Sequence, residues 1–145
     1  MLKAGDRAPD FSNPDADMNI VELSQFQGKT LVLYFYMRDD TPGCTAEAIE
    51  FSELENDFAK LGATVLGVSR DDCIKHGEFR DKHGISVRLL ADKDQTTCEA
   101  YGVLQDKEVD GVVRKGVVRS TFIIDKQGVI RHGLYGGSSR GHAAE

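Results

Sequence analysis

The sequence has no tryptophan, three prolines and three cysteines in 145 residues. The scarcity of cysteine is the most informative. Cys44, Cys73 and Cys98 are dispersed along the chain. No C-x-x-C pair occurs, so zinc-finger and dithiol-oxidoreductase readings are both poor. An odd set of thiols also argues against the disulfide framework of small secreted domains. The longest apolar run, 31–37, is of strand length and far short of the ~20 residues a membrane-spanning helix needs. The opening residues, Met1-Leu-Lys-Ala-Gly-Asp6, contain no apolar stretch, and no secretory leader is expected. Basic residues are the minority, with 18 Lys and Arg against 24 Asp and Glu and a net charge of −6. That balance disfavours a nucleic-acid backbone as partner. The expectation is a soluble cytoplasmic protein with no nucleic-acid or membrane partner.

Apolar residues make up 40% of the chain and charged residues 29%, an ordinary globular balance. The length suits one domain, 1–145, and a chain of this size buries roughly 68–70% of its unfolded surface without a staple. Strand-like and helix-like segments alternate. An extended piece at 17–23 leads to a helical turn at Ser24. Residues 30–36 are β-rich and almost wholly apolar, as a central strand covered on both faces must be. Thr41-Pro42-Gly43 signals a turn. From Thr45 to Leu61, Ala48, Phe51, Leu54, Phe58 and Leu61 recur at threes and fours, which predicts an amphipathic helix stopped by Gly62. A strand over 63–69 follows, then a helix capped by Asp71 or Asp72 and ending near His83-Gly84. A short strand at 87–90 and a short helix at 95–101 come next. The near-repeat Gly111-Val-Val-Arg-Lys, Gly116-Val-Val-Arg-Ser is too brief for a repeat architecture and predicts an irregular hairpin over 103–118. Residues 119–125 and 129–134 predict an antiparallel hairpin around Lys126-Gln-Gly128. Early βαβ units with a late hairpin indicate an α/β fold, a central mixed sheet flanked by helices.

Cys44 follows the apolar strand, a polar loop and Pro42-Gly43, and it opens the predicted helix. The free N–H groups and positive end of a helix favour a thiolate. The same N–H groups hold an oxygen on which negative charge develops. Thr41 is close enough in sequence to set its hydroxyl beside the sulfur. Glu47, one turn on, and Asp39 and Asp40 in the loop oppose a thiolate unless they are paired or solvated. Arg119, at the start of a strand, offsets them if it reaches Cys44 and Glu47, since a buried guanidinium needs such partners. Local spacing leaves two alternatives open: a nucleophilic cysteine, or a gap-filling one with Arg119 exposed at a strand end. His76, His83, His132 and His142 have no metal-ligand spacing and are expected to be solvated or capping.

The segment Tyr34-Phe-Tyr-Met-Arg-Asp-Asp-Thr-Pro-Gly-Cys-Thr-Ala-Glu-Ala48 resembles the active-site segment of peroxiredoxins, in particular the bacterioferritin comigratory protein (peroxiredoxin Q) subfamily. Gly5-Asp-Arg-Ala-Pro-Asp-Phe11, Gly67-Val-Ser-Arg-Asp71, Leu89-Leu-Ala-Asp92, Tyr101-Gly-Val103 and Arg119-Ser-Thr-Phe-Ile-Ile-Asp125 fit in order and spacing. The resemblance implies a thioredoxin-like fold and reduction of hydrogen peroxide or alkyl hydroperoxides without metal or organic cofactor. It implies Cys44 as the peroxidatic nucleophile, with Thr41 and the N–H groups of Gly43 and Cys44 positioning the peroxide. Arg119 is then the group that stabilises the thiolate, with Glu47 beside it. A reducing thiol is implied as partner: thioredoxin, glutaredoxin or a low-molecular-weight thiol. The subfamily's usual state is a monomer.

Three departures stand out. The family's motif proline is Met37 here. The two usual sites of a resolving cysteine carry Ile49 and Arg80. The closing helix of the family is expected to be short or missing, since the sequence ends at Gly141-His-Ala-Ala-Glu145. The lack of a resolving cysteine at either usual site favours a one-cysteine cycle completed by an external thiol. A cycle with Cys73 as resolving thiol is the alternative, and a redox-sensing module with little turnover is the reading from another class. Cys98 is expected in the core.

Overall fold

A computed structural model describes residues 2–135. Two short strands, β1 (Ser12–Pro14) and β2 (Ile20–Glu22), form an antiparallel ribbon and lead into a 3-10 turn at Leu23–Phe26. The main sheet follows with β3 (Thr30–Phe35), β4 (Ala63–Ser69), β5 (Arg88–Ala91), β8 (Ser120–Ile124) and β9 (Ile130–Tyr135). Between them lie α1 (Pro42–Lys60), α2 (Cys73–His83), α3 (Thr96–Ala100) and a separate ribbon of β6 (Leu104–Val109) and β7 (Val112–Val117). The strand order is β5-β4-β3-β8-β9, parallel from β3 to β5 and antiparallel from β3 through β8 to β9. This is a thioredoxin-like α/β fold with a mixed sheet.

β3 shows why the middle of the sheet needs an apolar run. Its successive side chains point to opposite faces, and both faces are covered. Leu31, Leu33 and Phe35 join Leu66, Val68, Phe122 and Tyr101 in one cluster. Val32 and Tyr34 join Cys44, Ala48, Phe51 and Phe79 in the other, beneath α1 and α2. Ala48 and Phe51 are buried, and at threes they form the stripe that lays α1 on this face. Tyr34 stacks on Phe51 with ring centroids 4.3 Å apart. Its neighbour in β4 is Gly67, where any Cβ would stand 2.7 Å from the phenol ring and its oxygen. Only glycine leaves room there for the ring.

Three sequence expectations change. α1 begins at Pro42, not Thr45, because proline suits the first helical position, where its missing N–H costs nothing. Cys44 is therefore the third helical residue. Residues 104–117 form a regular hairpin, not an irregular one. Asp110 and Gly111 both have positive φ, 52° and 77°, the conformation a two-residue hairpin turn demands and an Asp-Gly pair supplies. The β1–β2 ribbon begins earlier than the single extended piece expected at 17–23. The helix over 73–83 agrees: Asp72 caps it by accepting from Lys75 N–H at 2.8 Å, and Gly84 ends it in the left-handed region at φ 64°. The tail, including the expected short or missing closing helix, lies outside the described residues.

Candidate active site

β3, β4 and β5 run parallel, so their C-terminal ends share one edge of the sheet, where open α/β sheets build their sites. The chain leaves β3 at this edge, passes through 36–41 and enters α1. β8 runs the other way, and its first residue, Ser120, pairs with Phe35, the last of β3. Arg119, just before Ser120, therefore stands at the same edge as the start of α1. Topology thus brings residues far apart in sequence to one place.

Cys44 is buried at 1% exposure. The Arg119 Nη2 atom lies 3.4 Å from its Sγ, and Nη1 donates to the Gly43 carbonyl at 3.4 Å. Nη1 also lies 3.5 Å from Glu47 Oε1. Arg119 is 7% exposed and Glu47 fully buried, so the guanidinium is not the exposed strand end that the sequence left open. Burial pushes the Glu47 carboxyl up from 4.5 to about 8; Arg119 opposes that rise and Glu50 adds to it. The 3.5 Å separation is wider than a tight charge-assisted hydrogen bond, and desolvation wins. Near neutral pH the site therefore favours a carboxylic acid over a carboxylate at Glu47.

Thr41 is the residue before α1, in extended conformation, and its side chain does not cap the helix. Its hydroxyl donates to the Arg38 carbonyl at 3.2 Å, not to the sulfur. Pro42 has no N–H, and the first bonded amide is Thr45, which donates to Thr41 O. The Gly43 and Cys44 N–H groups are thus left by the helix itself as donors at its positive end. Among the residues expected at the site, Cys44, Gly43, Glu47 and Arg119 are brought into contact, and Thr41 flanks them.

Of the two loop aspartates, Asp40 points into water, the condition under which the sequence exempted it, and Asp39 does not. Asp40 is exposed, has φ 62°, and pairs with Lys82 at 2.7 Å and His83 at 2.8 Å. Asp39 is buried; its carboxylate accepts from Tyr36 OH at 2.5 Å and lies 2.6 Å from His76 Nδ1. His76 is fully buried, contrary to the expectation of a solvated or capping histidine. The α2 stripe of His76 and Phe79 faces the sheet, and a buried imidazole requires partners on both nitrogens. Asp39, Asp71 and His76 bring ligand-type atoms within 4.8 Å of one another. Each is already engaged: His76 Nε2 with Leu90 O, and Asp71 Oδ2 with Asp39 N–H and Ser69 Oγ. No local sequence signal linked these residues, which come from three separate segments.

The other two thiols are elsewhere. Cys73 is half-buried at the start of α2 and lines a cavity of about 690 Å³ with Asn13, Asp92 and Thr97. Partial burial raises its pKa, with Asp72 and Asp15 adding to the effect. Cys98 is fully buried in the opposite cluster, as expected, and burial followed by Asp92 pushes its thiol far up. Met37 and Ile49 are both partly exposed, and Arg80 pairs with Asp17 and Asp81. No helix among the described residues is long and apolar enough to cross a membrane.

A thioredoxin-like sheet with a buried cysteine in the first turn of the helix after its central strand, held by an arginine, defines a thiol enzyme. The model of the AhpC/TSA family matches residues 4–133. Peroxiredoxin Bcp of Bacillus subtilis is 42% identical over 127 residues, 88% of this chain and 81% of its own. Peroxiredoxin Bcp of Escherichia coli K12 is 41% identical over 131 residues, 90% and 84% of the two chains. A solved cysteine variant of Xanthomonas campestris peroxiredoxin Q superposes with a TM-score of 0.93 at 34% identity, covering 99% of this chain and 94% of that one. The chain belongs to the AhpC/TSA peroxiredoxin family and, within it, to the bacterioferritin comigratory protein (peroxiredoxin Q) subfamily. It is a thiol peroxidase.

Proposed function

We propose that residues 1–145 act as one catalytic domain in which Cys44 reduces hydrogen peroxide and alkyl hydroperoxides in a one-cysteine cycle. The observation that carries this is the Arg119 guanidinium 3.4 Å from a buried Cys44 sulfur in the first turn of α1. The sulfur attacks the terminal peroxide oxygen in line, the S–O bond forms and the O–O bond breaks. The alkoxide or hydroxide leaves with the electron pair, takes a proton and departs as alcohol or water, leaving Cys44 as the sulfenic acid. Arg119 and the Gly43 and Cys44 N–H groups face the negative charge that develops on the oxygens. Thr41 lies beside them, and Glu47 orients Arg119. An external thiol, from thioredoxin, glutaredoxin or a small thiol, then displaces water from the sulfenic acid. A second thiol releases Cys44 and carries away the disulfide.

The external thiol is favoured over Cys73 for two reasons. Cys73 has its thiol raised by burial, and a small thiolate fraction slows attack. It also lines a cavity apart from the Cys44 cluster. Alkyl hydroperoxides are included because a solved Xanthomonas campestris relative, 34% identical, is described by its alkyl peroxide reduction activity. We take the enzyme to be cytoplasmic and monomeric.

One equivalent of peroxide tests the cycle. Intact mass after dimedone is expected to show one adduct, mapped to Cys44. A quantitative Cys44–Cys73 linked peptide overturns the one-cysteine cycle. Absence of peroxide consumption with any of the three reductants favours the redox-sensing alternative.

A further inference from the structure

The loop that carries the chain from β3 to Cys44 is held from below by a buried Asp–His pair that the peroxide chemistry does not use. Asp39 stands five residues before Cys44. Its Oδ2 lies 2.6 Å from His76 Nδ1, its Oδ1 accepts from Tyr36 OH at 2.5 Å, and its N–H donates to Asp71 Oδ2 at 2.7 Å. His76 Nε2 lies 2.9 Å from the Leu90 carbonyl. A carbonyl only accepts, so Nε2 is the donor to it, and Nδ1 faces the Asp39 carboxyl. The groups facing this pair are Tyr36, the residue just after β3, Asp71 from the β4–α2 turn, and Lys75 through its 3.8 Å contact with Asp71. Burial and then Asp39 hold the Tyr36 phenol well above its ordinary range, so it stays a donor.

We propose that Asp39 and His76 are positioning residues for peroxide reduction: their pair fixes the 37–41 loop so that Cys44 meets Arg119. The reasoning starts from cost. A buried pair of ionisable groups contributes little net stability, and an apolar pair of the same volume is often as stable. What it supplies is direction, since Asp39 Oδ1, Asp39 Oδ2 and His76 Nε2 are each held by a near partner and Nδ1 by two, Asp39 Oδ2 at 2.6 Å and Tyr36 OH at 3.3 Å. The pair ties α2 through His76, β5 through Leu90 and the exit of β3 through Tyr36 to a loop that makes no regular structure of its own. Asp40, next in the chain, adds a second tie to Lys82 and His83 at the surface. From Pro42 onward the chain is already in α1, so a shift at Asp39 moves the first turn relative to Arg119, which is anchored separately at the start of β8.

Two substitutions separate geometry from charge. Asp39→Asn removes the charge and keeps the shape: Oδ1 accepts from Tyr36, and the amide N–H donates to a neutral Nδ1. Asp39→Glu keeps the charge and moves it by a methylene. Stopped-flow rates with hydrogen peroxide are measured with alkylation by iodoacetamide, at a temperature where circular dichroism shows every variant folded. Asp39→Asn is expected to stay near the wild-type peroxide rate. Asp39→Glu is expected to lose about 100-fold, the scale of an ångström-level misplacement, while iodoacetamide reacts with Cys44 at least as fast as before. His76→Ala is expected to lose as much, and Asp39→Ala with His76→Ala no more than either alone. A wild-type peroxide rate in Asp39→Glu, or an Asp39→Asn loss as large as that of Asp39→Glu, overturns the proposal. So does a parallel loss of alkylation, which assigns the effect to the thiolate itself. The inference rests on Cys44 as the peroxidatic thiol. Wild-type protein that consumes no peroxide defeats that reading, whereas active wild type with unaffected variants defeats the pair alone.

Discussion

Arg119 and Cys44 are 75 positions apart in sequence, yet the guanidinium Nη2 lies 3.4 Å from the sulfur. The contact exists because β8 lies antiparallel against β3 with Ser120 opposite Phe35. Arg119 is thus carried on the sheet, while Cys44 is carried on the helix that the sheet launches. The two are held by independent supports.

Arg119→Met retains the apolar stem and removes the charge. Peroxide reduction is expected to fall by about 100-fold, the scale of losing one preorganised donor to a developing oxyanion. Stopped-flow kinetics checks this, with circular dichroism to confirm the fold. Alkylation of Cys44 at neutral pH is expected to slow as well. An unchanged peroxide rate removes Arg119 from the mechanism.

Cys44→Ser is expected to abolish peroxide turnover, and Cys98→Ser to keep most of it. Cys98 is fully buried on the opposite face of the sheet, where its thiol is both inaccessible and held protonated by burial. Steady-state peroxide consumption with an external thiol separates the two. Substantial turnover by the Cys44→Ser protein contradicts the assignment.

Glu47 links stability to pH. Its carboxyl rises from 4.5 to about 8 on folding, so between those values the folded state holds more protons than the unfolded state. Stability therefore falls as pH rises through that window. Glu47→Gln removes the titration. Its Tm relative to wild type is expected to climb between pH 5 and pH 8 and then level off, as thermal unfolding in a pH series will show. A difference that is flat across the window contradicts the raised carboxyl.

The Tyr34 hydroxyl is buried without a hydrogen-bond partner among the described residues. Tyr34→Phe is expected to raise stability by about 1 kcal/mol, the cost of leaving such a group unsatisfied. Gly67→Ala is expected to lower it by about 1–3 kcal/mol, because its Cβ meets a ring already stacked on Phe51. Urea unfolding of both variants measures the two signs.

The local grammar of this chain reads directly from its residues. The apolar run at 30–36 announces a doubly covered strand, and the three-four spacing of Ala48 and Phe51 announces the face of α1. Asp72 and Gly84 bracket α2, and Thr41-Pro42-Gly43-Cys44 marks a thiol at a helix start. Each of these signals is encoded within one turn or one strand, where period and capping act. The Asp110-Gly111 pair is a signal of the same kind, although the near-repeat points to an irregular hairpin and the structure shows a regular one. Tertiary structure alone decided the rest. Whether Arg119 is exposed or buried against Cys44 depends on which strand neighbours β3. Whether Glu47 is an anion or an acid depends on how much water α1 excludes. Whether Asp39 opposes the thiolate depends on His76, which α2 turns inward across the end of the sheet. Desolvation and cross-chain pairing are properties of the assembled edge, so no run of neighbouring residues carries them.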